Sequence, residues 1–221
     1  MGALVIAGTP IHDRESYRAI LEGAAVRIAV DSGADLCLSL GWMPDLFVGD
    51  GDSVSDDSMR QLLAAGVPTI MLQRDKDVTD LEVALEAASE RFPDGLRVTA
   101  VMGGRTDHLL VALGDLFACR ARSVSVVEPT ERAWILSPHT ADTLTIAPSG
   151  AIVSVIAGPD GAQVSLTGFR WELDHTMLKP LSGQGLSNVI SSDAAIVRVH
   201  KGSVLIHAPG TGAAQSAYTV D

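Results

Sequence analysis

The 221-residue chain is long enough for one large domain or two small ones, with a core that needs no disulfide staples. Hydrophobic residues make up 47% and charged residues 19%, and no unbroken apolar run reaches bilayer length, so a soluble globular protein without a membrane partner is expected. The formal charge of -11 argues against nucleic acid as a partner and weakly favours a cationic ligand.

The opening MGALVIAGTP lacks the basic start and long apolar stretch of a secretory signal and is expected to hold a first buried strand. From residue 4 to about 130, short apolar runs rich in β-branched residues alternate with longer segments of helical period, the pattern of an α/β domain with a largely parallel sheet. Leu4 to Ala7 is the first expected strand, and Tyr17, Ile20 and Leu21 mark the helix behind it. Strands follow at Val26 to Val30 and Asp45 to Val48. Ser55 then caps a helix with Met59, Leu62 and Leu63 on its apolar face, stopped by Gly66 and Pro68. After a strand at Thr69 to Leu72, Thr79 and Glu82 form a capping box that opens a helix burying Leu81, Ala84, Leu85 and Ala88. Val98 to Met102 is the next strand; Leu109, Leu110, Leu113, Leu116 and Phe117 recur at helical spacing, and Ser123 to Val127 returns to the sheet. Cys37 and Cys119 lie inside apolar segments and are expected to be core thiols in a reducing cytoplasm.

After about residue 137 only strand-like segments remain, at 143–147, 152–156, 163–166, 195–200 and 203–207, with turns expected at Gly158-Pro159-Asp160-Gly161 and Lys201-Gly202. The expectation is an α/β; N-terminal largely parallel-sheet α/β domain over 1–137, followed by a C-terminal β-sandwich domain over 138–221. The tail beyond Pro209, rich in small and polar residues, is expected to be loosely ordered.

The chemistry collects where the strands end. In FVGDGDS, Asp50 and Asp52 stand two residues apart on a glycine-hinged loop, and such a pair repels itself unless a positive group intervenes. A magnesium site is one reading; an ordinary Asp- and Gly-rich turn is the other. Three more strand ends carry acids: Asp31-Ser32-Gly33-Ala34-Asp35, the run Gln73 to Asp80, and Gly103-Gly104-Arg105-Thr106-Asp107-His108. Ligands of open parallel sheets bind at this edge. Hard oxygen donors suit Mg²⁺ carrying a polyphosphate, Gly103 and Gly104 allow backbone amides to approach a phosphate, and Arg105 offers a planar fork to its oxygens. The GxxxxGK[ST] loop is absent. Asp80, Glu82 and Asp107 also suit a purely structural role as acids at helix starts.

Taken in order, DSGAD, PDLFVGDGDS, DVTDLEVAL and GGRTDH resemble the motifs of the thiamine pyrophosphokinase (thiamine diphosphokinase) family. The resemblance continues through Phe169-Arg170-Trp171-Glu172-Leu173 and Leu186-Ser187-Asn188. It implies a Mg-dependent enzyme that transfers diphosphate from ATP to the hydroxyl of thiamine, giving thiamine diphosphate and AMP. It further implies Asp50, Asp52 and Asp80 as metal ligands, with Arg105 and Asp107 completing the catalytic set. Asp31, Asp77, Thr79, Gly103, Gly104 and Arg105 fall on the ATP side, and Trp171, Ser187 and Asn188 on the thiamine side, Trp171 offering its ring to the cationic thiazolium. The family implies a cytoplasmic homodimer with active sites at the subunit interface. Asp52 and Asp107 are both candidates to take the hydroxyl proton.

Four positions depart from the family's usual pattern: Ser32 and Asp35 within DSGAD, Gly51 where a Phe is common, and Glu82. Trp42 and Trp134 are expected in cores, His108 near the site, and His12 as a minor nucleotide contact. The competing functions are a diphosphokinase for another hydroxymethyl heterocycle such as a pterin, a DxD-type nucleotide-sugar glycosyltransferase using Asp50 and Asp52, and a non-catalytic sensor.

Overall fold

In the computed structural model, which describes residues 2–210 and 218–220, the alternating apolar runs become parallel strands with a helix between each consecutive pair. The elements are β1 (Ala3–Ile6), α1 (Arg18–Glu22), β2 (Arg27–Val30), α2 (Gly33–Ser39), β3 (Leu46–Gly49), α3 (Asp56–Ala64), β4 (Thr69–Met71), α4 (Asp80–Arg91), β5 (Leu96–Thr99), α5 (Thr106–Ala118) and β6 (Val124–Val127). Strands β1 to β5 pair in parallel in the order β5-β1-β2-β3-β4, with β6 beyond β5. The chain therefore builds outward from β1 to β4 and then crosses back to lay β5 on the other side of β1. That reversal opens a crevice at the carboxyl ends of β1 and β5.

Sheet and helices close over Leu4, Ile6, Leu21, Phe47 and Leu62, all fully buried. Each such side chain contributes roughly 1.5–3 kcal/mol by leaving water. Helix α4 buries Leu81, Ala84, Leu85 and Ala88, as its periodicity predicts, and Thr79 Oγ1 caps it by accepting the Glu82 N–H at 2.9 Å. Ser55 caps α3 in the same way, accepting from Ser58 N–H. The expected apolar face of α3 is corrected at Leu63, which is 64% exposed while Leu62 and Ser58 face inward.

Two further differences bear on the site. DSGAD, expected only as a strand end, starts α2 at Gly33, where an added Cβ would lie 2.1 Å from the Ile6 carbonyl oxygen. Only a residue without a Cβ lets this short helix sit so close to β1. Strand β5 ends at Thr99, three residues before the expected Met102, because Ala100 takes φ +56° and turns the chain out of the sheet.

The chain divides into two compact units, Met1–Ala121 with Val126–Glu128 and Arg122–Ser125 with Pro129–Asp221. The second is built of β7 (Glu131–Leu136), β8 (Thr143–Ile146), β9 (Ile152–Thr167), β10 (Leu173–Leu178), β11 (Asn188–Val189), β12 (Ala195–Pro209) and β13 (Tyr218–Val220). The turns expected at 158–161 and 201–202 are instead bends inside the long antiparallel pair β9 and β12, where the register shifts. Gly161 and Gly202 both have positive φ, and a Cβ on Gly202 would come 2.0 Å from the Gly161 carbonyl oxygen. Bent there, β12 pairs its first half with β8 and its second half with β7, and Trp134, Leu144, Ile146, Val155, Val164 and Leu166 fill the core. Of the tail beyond Pro209, expected to be loosely ordered, residues 211–217 lie outside the described residues, and 218–220 pair with β8.

Candidate active site

A cavity of about 570 Å³ opens at the carboxyl ends of β1 and β5. Gly8 and Thr9 line it from the loop after β1, Asp31 from β2, Asp80 from the start of α4, and Arg105 and Asp107 from the segment after β5. From the β1 loop the sequence reading expects only His12, and the strand-end test applied to the first strand would have found Gly8 and Thr9. Thr9 anchors the loop: its N–H and Oγ1 both donate to the Ala100 carbonyl, at 3.2 and 2.6 Å, tying the loops on either side of the crevice together.

Three acids gather around one ammonium. Lys76 Nζ lies 3.2 Å from Asp80 Oδ1, as an ion pair without hydrogen-bond geometry, and 4.0 Å from Asp50 Oδ2. It also donates to the Gln73 carbonyl at 3.2 Å. Asp31 completes the group in a left-handed conformation, φ +50°, with an Oδ1 that is buried and without a hydrogen-bond partner. Burial chiefly, then the Asp80 and Asp50 charges, push its carboxyl up to about 7, against the pull of Lys76. A Cβ at Gly49 would lie 2.3 Å from that oxygen, so the glycine at the end of β3 makes room for the Asp31 carboxylate.

The segment after β5 is shaped from behind. Buried Glu128 accepts the Val101 and Met102 N–H groups on Oε1, at 2.9 and 3.2 Å, and the Tyr17 hydroxyl on Oε2 at 2.8 Å. Burial raises its pKa despite these donors. Beyond this anchor Gly103 and Gly104 have φ +97° and +67°, and nothing stands within 4 Å of a Cβ placed on Gly103. Arg105 folds back on Asp107 in a bidentate pair, 3.1 Å from Nε to Oδ1 and 2.6 Å from Nη2 to Oδ2, which holds the Asp107 carboxyl at about 2. Both side chains are largely exposed, so a phosphate can take the place of Asp107 on the Arg105 guanidinium at small cost. His108 lines the cavity as expected, and His12 does not.

Other expected site residues take different positions. Asp52 is exposed and pairs outward with Arg74 at 2.6 Å, while its N–H donates to Asp50 Oδ1 at 2.9 Å. Asp50 and Asp80 thus meet at Lys76, and Asp52 stands outside that group. Asp77 is exposed and does not line the cavity. Thr79 does line the cavity, and it also holds structure, capping α4 and donating to Asp115 Oδ2 at 2.7 Å. Ser32 and Asp35 also have structural partners: Ser32 Oγ donates to the Gly8 carbonyl at 3.0 Å, and Asp35 accepts the Ser55 hydroxyl at 2.6 Å, linking α2 to the cap of α3. Gly51 has φ +80°, which excludes most side chains there, and the methyls of Met59 and Met71 occupy the space beside it.

In the second unit Trp171 is 55% exposed, so it is not core, and the Arg170 guanidinium lies 5.0 Å from its ring centroid. Asn188 is buried, with its amide held at both ends: Oδ1 accepts the Trp171 and Val189 N–H groups, and Nδ2 donates to the Trp171 carbonyl at 2.7 Å. It therefore fixes the backbone that carries the indole. Ser187 is exposed at φ +54°. Trp134 is core, as expected; Trp42 is half-buried, with the Arg27 guanidinium 4.0 Å above its ring. Both cysteines are free, and burial pushes the Cys37 thiol up to about 12.

Residues 17–127 match the family model described as thiamin pyrophosphokinase, catalytic domain. The chain is 24% identical over 204 residues to a thiamine pyrophosphokinase of Bacillus subtilis, covering 91% of this chain and 95% of that one. Among solved structures it is similar to a thiamin pyrophosphokinase from Geobacillus thermodenitrificans, with TM-score 0.77, 24% identity and coverage of 96% and 99%. The structure of the Candida albicans enzyme superposes at TM-score 0.77 and 13% identity over 95% of this chain and 90% of that one, a likeness of fold.

Proposed function

The chain belongs to the thiamin pyrophosphokinase family, and from that premise we propose that it transfers diphosphate from ATP to the hydroxyl of thiamine, releasing AMP. The observation that carries this reading is the gathering of Asp31, Asp50 and Asp80 beside a cavity that Arg105 also lines, directly after the open backbone of Gly103 and Gly104. One edge of the sheet thus offers acids for a cation and open backbone with a guanidinium for phosphate.

Asp50, Asp80 and Asp52 are the residues we assign to hold magnesium, Asp52 turning inward from Arg74. The unpartnered Asp31 oxygen and the all-carboxylate donor set suit a hard cation. Bound there, magnesium would offset charge on the phosphate oxygens. Arg105 leaves Asp107 to grip the triphosphate, and the Gly103-Gly104 amides approach it. The thiamine oxygen attacks the β-phosphorus; the new O–P bond forms as the bond to the α-phosphate oxygen breaks, AMP leaves with that oxygen, and the hydroxyl proton is lost. Asp52 and Asp107 are the two carboxylates we assign as candidates for that proton, and the Arg105 pair holds the Asp107 carboxyl well below the usual carboxylate range.

For the acceptor we assign Trp171, its exposed face exchanging the Arg170 guanidinium for the thiazolium cation, with Ser187 beside it and Asn188 setting the backbone. We further assign a homodimer in the cytoplasm; sedimentation at micromolar concentration tests the dimer. The deciding experiment incubates the protein with ATP, Mg²⁺ and thiamine, and with a hydroxymethyl pterin in parallel. AMP and thiamine diphosphate should form in equal amounts only with thiamine, and their absence removes the proposal.

A further inference from the structure

We infer that Lys76 is a resident counter-ion of the acid group, holding the place of the metal and passing its ammonium to the nucleotide's phosphates when the two bind. The inference rests on the reading of this edge as a site for magnesium and ATP. Its ground is the position of Nζ, 3.2 Å from Asp80 Oδ1, 4.0 Å from Asp50 Oδ2 and 3.2 Å from the Gln73 carbonyl. These are not surface pairs: the Lys76 and Asp50 side chains are each 15% exposed and that of Asp80 is 19% exposed, so solvent screens the charges far less than it does Arg74 with Asp52.

Two features show that Lys76 and a metal ion exclude each other. Among the described residues no three His, Cys, Asp or Glu side chains converge closely enough to hold a metal ion. An ammonium centred 3.2 Å from Asp80 Oδ1 and 4.0 Å from Asp50 Oδ2 takes the place of a cation shared by these carboxylates, and magnesium would have to draw each ligand oxygen in to about 2.0–2.1 Å. A divalent ion entering between Asp50 and Asp80 would also stand beside a retained positive charge in a shielded site, which Coulomb repulsion opposes. The lysine has a way out. It sits in the loop between β4 and α4, and its four-carbon stem can swing the ammonium away from the carboxylates. Polyphosphate supplies the new partner for the displaced charge, so nucleotide makes room for metal and metal frees lysine for nucleotide. Each ligand therefore tightens the other's binding, by the same factor in both directions.

The test uses the full chain and Mn²⁺ as a spin probe for the free metal, titrated by electron paramagnetic resonance with and without α,β-methylene ATP. In the unaltered protein Mn²⁺ should bind weakly alone and at least about tenfold more tightly with the nucleotide analogue present, after subtraction of the Mn²⁺ that the analogue chelates in a protein-free control. Lys76→Met should bind Mn²⁺ alone roughly tenfold more tightly, because the competing charge is gone, and should lose most of the nucleotide-dependent gain. Lys76→Arg, which keeps the charge, should retain the weak binding of the metal alone. Unchanged or weaker Mn²⁺ binding by Lys76→Met overturns the counter-ion role, as does equal Mn²⁺ affinity with and without nucleotide in the unaltered protein. That second measurement needs no variant to fold. Neither readout involves turnover, so failure to make thiamine diphosphate counts against the substrate and not against this exchange.

Discussion

Asp50 and Asp52 stand two residues apart on one loop, yet they face different partners: Asp50 turns toward the shielded Lys76, and Asp52 points out to Arg74. That difference predicts different consequences of mutation. Asp52→Asn should abolish most of the diphosphate transfer while changing stability by no more than about 0.5 kcal/mol, since an exposed ion pair contributes little to the fold. Activity assay and thermal unfolding of one preparation check both halves. The thiamine side divides in the same manner. Trp171→Ala should raise KM for thiamine without unfolding the protein, because the indole is 55% exposed. Asn188→Ala should cost about 1–3 kcal/mol of stability as well, since it strips the Trp171 N–H and carbonyl of their buried partner. Denaturant unfolding of the two variants separates binding from positioning; equal destabilisation would contradict the assignment.

Among the elements, the segment after β5 owes its shape to a side chain far along the chain. Glu128 lies beyond β6, and its carboxylate gathers two backbone N–H groups and a tyrosine hydroxyl just ahead of the phosphate-facing glycines. Burial raises its folded pKa above the unfolded value, so the ionised form is disfavoured in the fold. The cost is absent below the unfolded carboxylate pKa, grows as pH rises toward the folded value, and stays constant above it. Glu128→Gln, which preserves shape and removes the charge, should therefore raise the melting temperature at pH 7 and lose that advantage near pH 4. Melting curves across that range check the sign. Glu128→Ala should instead destabilise the protein at every pH and raise KM for ATP, because the two amides lose their acceptor.

Across the whole molecule, ligand binding should be visible as stability. Any ligand held by the folded state alone stabilises it by about 2.7 kcal/mol at a hundredfold excess over its Kd. Mg·ATP should thus raise the melting temperature, and either component alone should raise it much less. Differential scanning calorimetry with magnesium, with ATP, and with both decides this. Among the described residues no helix is long and apolar enough to cross a membrane.

The sequence by itself determined the alternation of strand and helix through the first unit, the caps at Ser55 and Thr79, and the edge of the sheet where chemistry collects. These follow from local rules: side-chain period, capping geometry, and the position of loops after parallel strands. Motif order was enough to suggest the family. Only the tertiary structure decided which acids face each other, because Asp31, Asp50 and Asp80 come from three separate segments and meet through packing. It also turned the expected turns at 158–161 and 201–202 into bends of continuous strands, since cross-strand pairing outweighs local turn preference. Long-range contacts gave Lys76 its place among the acids and Glu128 its hold on the loop. Neither carries a signal in its own neighbourhood, because the charges and amides that define each role lie on other elements or, for Lys76 and Asp80, matter only once a third acid is brought beside them.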